Sequence, residues 1–136
     1  MNFKNLKTFE DCCKLRGYDP ANLPVVDHLS AKFRDWLTAT YMAGVIVEAI
    51  NTDETGKVWE PNWNDSNEIK YTSYHLVEAS DDQPGGFAFS RSRYVTWYTL
   101  TSAGARLCFD TREKVAHYQK YFEPIILRQQ LILKQA

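Results

Sequence analysis

Val26, Leu29, Phe33, Trp36, Leu37, Thr40, Tyr41, Gly44, Val47 and Ile50 recur at steps of three and four residues, which gathers them along one stripe of an α-helix. The spacing predicts a long central helix from about residue 27 to 51, with Lys32, Arg34, Asp35 and Glu48 on its polar side. From Tyr41 to Ile50 it is apolar nearly all round, so that half is expected to be buried on more than one side. Gly44 costs about 1 kcal/mol relative to Ala in a helix interior, which implies a packing partner pressed against it. Upstream, Thr8-Phe9-Glu10-Asp11 reads as a capped helix start with carboxylates in its positive first turn, and Gly17 as its left-handed stop. Tyr18 to Pro24 is a connector, because each proline disfavours helix in the residue before it.

After the polar, acidic segment Asn51 to Asn67 the period changes to two. Glu68 to Ala79 reads as a first strand, Ser80 to Gly86 as a loop, and Phe87 with Phe89 as one face of a second strand that turns at Ser90 to Arg93. In a third strand Tyr94, Thr96, Tyr98 and Leu100 face one way and Val95, Trp97 and Thr99 the other. A turn at Thr101 to Gly104 leads to a last strand, with Ala105, Leu107 and Phe109 opposite Arg106 and Cys108. Asp110 to Glu113 starts a helix that carries Val115, Tyr118 and Phe122; Pro124 kinks it, and the apolar piece Ile125 to Leu133 follows. The fold expected is α+β: N-terminal helices including the long central one, a three- to four-stranded antiparallel β-meander, and a kinked C-terminal helix. The central helix is expected to lie across one face of the sheet.

A chain of 136 residues, 44% apolar and 24% charged, fits a single folded domain (1–136) and excludes a disordered one. The net charge of -1 argues against a general polyanion binder. The distribution changes that picture. Residues 51–85 carry two basic and eight acidic side chains, and residues 86–136 carry eight and three. Either the acidic segment folds against the basic one and neutralises it, or a basic face is left for a nucleic acid or an acidic partner. Cys12, Cys13 and Cys108 form no CxxC, and neither a secretory signal nor a membrane span is present. The expectation is free thiols in the cytoplasm, with no membrane partner.

The search for reaction chemistry yields no catalytic set, no metal site and no cofactor motif. His28, His75 and His117 stand apart from one another and from zinc-type ligand spacing. Cys12 and Cys13 follow Glu10 and Asp11, whose charge raises a thiol pKa and makes a nucleophile improbable. A hydrolase would require His75 or His117 to meet a carboxylate in a deep polar pocket. Binding is the stronger reading. Arg91, Arg93 and Arg106 beside Trp97 and Tyr98 combine guanidinium groups with rings, as single-strand binders do, although a core role for the rings competes with it. Trp59 and Trp63 either cap the core or form a paired aromatic platform, and Ile126 and Leu131 in the apolar tail dock onto the core or onto another subunit. The alternative function is therefore a protein-interaction or assembly module, forming a homo-oligomer or binding a host protein.

Phe9-Glu10-Asp11-Cys12-Cys13, Glu48-Ala49-Ile50-Asn51, Trp59-Glu60-Pro61-Asn62-Trp63-Asn64, Lys70-Tyr71 and Gly104-Ala105-Arg106-Leu107-Cys108-Phe109 together resemble a family of small uncharacterised proteins carried by phages and mobile elements of gut Bacteroidetes. The resemblance covers roughly residues 8–122. The chain departs from that pattern in having Ala105 where those proteins have Ser, and in its C-terminal extension. The resemblance implies a bacterial cytoplasmic setting and a phage or mobile-element origin, and it implies no reaction, cofactor or catalytic residue.

Overall fold

The computed structural model describes residues 2–82, 87–99 and 107–131. Helix α1 (Phe9–Arg16) begins as its sequence dictates. The Thr8 hydroxyl accepts from the Asp11 N–H at 3.1 Å, the Asp11 carboxylate accepts from the Thr8 N–H at 3.0 Å, and Gly17 closes the helix at φ 73°. The central helix α2 (Ala31–Ile50) starts later than its apolar stripe. Ser30 caps it by accepting from the Phe33 N–H, while Val26 and Leu29 lie in the turns before it, where their carbonyl neighbourhood is tied down by Arg34.

Among the described residues the sheet is antiparallel and three-stranded. β1 (Lys70–Ala79) pairs with β2 (Phe87–Trp97) from Lys70↔Trp97 to Ala79↔Phe87, and β3 (Cys108–Phe109) pairs with β1 along its other edge. The order is therefore β2-β1-β3, not the sequential order of a meander. Two expectations fail here for one reason. Ser90 to Arg93 makes no turn, because the ten residues of β1 offer a continuous partner and β2 runs straight through, absorbing Ser90 as a bulge opposite Leu76 and Val77. That long pairing occupies one edge of β1 and leaves the other for β3. The predicted turn at Thr101 to Gly104, with Leu100, Ala105 and Arg106, lies outside the described residues.

After β3 come α3 (Arg112–Tyr121) and α4 (Glu123–Gln130), separated at Phe122 where Pro124 enters the first turn of α4. Thr111 rather than Asp110 caps α3, and Asp110 instead pairs with Lys114 at 2.8 Å. The helix laid against the sheet is α3, not α2. The apolar surface of α2 is taken by α1 and α4, which is why its second half is buried on more than one side. Val115 and Tyr118 of α3 meet Phe109 and the inner end of the sheet, in one core with Ile46, Ile50 and Phe122. The described part of the tail, as far as Leu131, docks onto this core: Ile126 is buried in it, Trp36 Nε1 donates to the Gln129 carbonyl at 2.8 Å, and Arg128 pairs with Asp35 at 2.8 Å. Among the described residues no helix is long and apolar enough to cross a membrane.

Candidate functional site

Residues directly opposed in an antiparallel pair project from the same face. The register Lys70↔Trp97, Thr72↔Val95, Tyr74↔Arg93 and Leu76↔Arg91 therefore collects both sheet arginines, Trp97, Tyr74 and Leu76 on one face of the β1–β2 ribbon. The face is closed at its inner end. Lys70 and Thr72 are buried there, and Trp97 Nε1 donates to the Thr72 hydroxyl at 2.8 Å. Its outer end is open, with Tyr74 40% and Leu76 49% exposed and Arg91 and Arg93 exposed beside them. Among the described residues neither guanidinium enters an ion pair or a side-chain hydrogen bond. Glu68 of the acidic segment is engaged elsewhere, accepting from the Asn62 N–H at 2.7 Å and lying 3.4 Å from Lys70.

Of the other residues singled out from the sequence, Tyr98 is 46% exposed just past β2, and Arg106 lies outside the described residues. Tyr94 projects from the opposite face, edge-on to Tyr71 at 5.5 Å. That second face also holds His75, whose ring nitrogens meet the hydroxyls of Ser73 (2.8 Å) and Ser92 (2.7 Å) and which stacks on Phe89 at 4.1 Å. Burial lowers its pKa to about 4, so the imidazole is neutral at physiological pH. Its polar partners are hydroxyls rather than a carboxylate. His117 is buried, bonded to the Leu6 carbonyl and edged by Phe3, a packing role. Among the described residues no disulfide joins the three cysteines, and all three are buried. Burial, reinforced by Asp11, raises Cys12 to about 12, and burial raises Cys108 to about 11, so neither is a thiolate nucleophile at neutral pH. Among the described residues no cluster of three His, Cys, Asp or Glu is placed to hold a metal ion.

Sequence reasoning passed over Lys70. Its side chain is fully buried, and Nζ donates to the carbonyls of Asn62 (2.7 Å), Asp65 (3.0 Å) and Tyr98 (2.5 Å) while resting 5.2 Å from the Trp63 ring centroid. The available signal was parity, since Lys70 shares the inward phase of β1 with buried Thr72. Lys70 fixes the loop that carries Trp59 and Trp63, both half-buried, along one wall of a cleft of about 780 Å³. Tyr18, Tyr41, Gly44, Glu48 and Asn51 line the rest. Gly44 thus has no partner pressed on it: a Cβ built there meets nothing within 4 Å, and the glycine opens onto the cleft. Leu131 is half-buried just past α4.

Comparison of the chain with protein-family models, with curated proteins and with solved structures gives no match.

Proposed function

We propose that the protein is a non-enzymatic binder of single-stranded nucleic acid, working in the phage or mobile-element setting that its resemblance implies. The observation that carries this reading is the pair Arg91 and Arg93, unpaired among the described residues and interleaved with Tyr74 and Leu76 on the open end of a ribbon face. In this reading the guanidinium groups track phosphates while Tyr74 and the exposed Tyr98 offer ring faces to bases, a combination tolerant of sequence. Trp97 supports the face from its closed end.

Fluorescence anisotropy with short labelled single-stranded DNA and RNA, read across a salt series, tests the reading. Each phosphate contact to a single strand contributes about 0.7 to the slope of log affinity against log salt. The Arg91→Ala/Arg93→Ala variant is expected to bind more weakly and to lower that slope by about 1.4. Tyr74→Ala is expected to weaken binding by roughly tenfold through loss of stacking. Absence of binding at low salt, or equal binding by the double variant, refutes the reading.

A further inference from the structure

The cleft walled by Trp59 and Trp63 is lined mainly by α1, α2 and the tryptophan loop, and by none of the ribbon-face residues Tyr74, Leu76, Arg91 and Arg93. We propose that it is a binding site for a small organic cation, an ammonium or amidinium group carried on a flat apolar body. A volume of about 780 Å³ is within the range of small-molecule sites. Its rings are Tyr18, Tyr41, Trp59 and Trp63, and aromatic faces attract cations through their quadrupoles. The chain already uses this attraction where Lys70 Nζ sits over the Trp63 ring.

The polar groups of the lining have the matching sign. Arg16 is the one basic side chain that lines the cleft among the described residues, and its Nε is bound to Glu48 at 2.7 Å. Glu60 is exposed at the wall and enters no ion pair among the described residues. Asn51, 4% exposed, donates through Nδ2 to the Cys108 carbonyl at 2.9 Å, and this fixes its amide orientation because a carbonyl cannot donate. Its Oδ1 is left as a buried acceptor with no partner among the described residues. Rings and the exposed Glu60 carboxylate together select a cation over an anion. The open space above Gly44 admits its apolar body.

The test follows the indole N–H resonances of the four tryptophans by NMR during titration with phenethylamine, and in parallel with phenylacetate of the same shape. Saturable shifts of Trp59 and Trp63 with phenethylamine are expected, with Trp36 and Trp97 as internal controls. Glu60→Gln, an exposed change that leaves the core intact, is expected to weaken binding roughly fivefold. Gly44→Leu fills the cleft from the helix and is expected to abolish the shifts while the melting temperature is kept. Phenylacetate binding as tightly as phenethylamine, no saturable shift at all, or undiminished binding by both variants overturns the proposal.

Discussion

Lys70 is the residue on which most local structure turns. An ammonium taken fully out of water is tolerated because three carbonyls, the nearby Glu68 carboxylate and a tryptophan face replace its hydration. Lys70→Met keeps the aliphatic stem but strands the carbonyls of Asn62, Asp65 and Tyr98. A loss of about 3 kcal/mol is expected in urea unfolding, with a red shift of tryptophan emission as Trp63 comes loose. His75 makes a second prediction at this scale. The fold holds it neutral down to about pH 4, whereas an unfolded histidine takes a proton near its ordinary 6.5. Between those values the unfolded chain binds more protons, so stability is full above about pH 6.5 and falls as the pH drops toward about 4. Urea midpoints measured across that interval should show the decline, and His75→Gln should lack this part of it. The exposure of Arg91 and Arg93 was legible in the sequence, because a charged side chain normally stays in water. The surroundings of Lys70 and Gly44 were not. Whether a lysine is solvated or caged, and whether a helical glycine meets a neighbour or a space, depends on how loops and strand ends return in space, which no local pattern specifies.

At the scale of elements, local signals located nearly every helix end. Thr8, Gly17 and Pro124 act through bonds or torsions within a few residues of themselves, and the structure places them where the sequence does. Strand partnership is non-local, and there the reading broke down. Ser-Arg-Ser-Arg resembles a turn until β1 supplies a partner long enough to keep it extended, and α2 and α3 exchanged places against the sheet because the order of burial is decided by α1 and α4. Among the described residues, in the order β2-β1-β3, β2 is an edge strand of eleven residues. An edge this long invites pairing with another chain unless charge opposes it, and Arg91 and Arg93 provide that charge. Arg91→Ile/Arg93→Val is therefore expected to form concentration-dependent aggregates in light scattering where the parent chain does not.

Across the whole molecule, the described residues divide into a helical layer of α1, α2 and α4 and a ribbon backed by α3. The two candidate surfaces fall on different parts of this plan, so their energetics should add. Arg91→Ala/Arg93→Ala is expected to leave the titration of the cleft unchanged, and Gly44→Leu to leave oligonucleotide affinity unchanged; one set of double variants measures both. The sequence conveyed the α+β class because helical and strand periods occupy separate stretches. It could not convey the cleft, whose walls come from Tyr18, Tyr41 and Trp59, brought together only by the packing of α1 on α2 and the return of the loop.

The three carbonyls around Lys70 belong to two segments: Asn62 and Asp65 to the tryptophan loop, and Tyr98 to the exit of β2. While all three hold, no acylating reagent reaches that nitrogen, although surface lysines react freely. The slow native-state acetylation of this single amine, followed by mass spectrometry, would thus clock how often loop and strand part company.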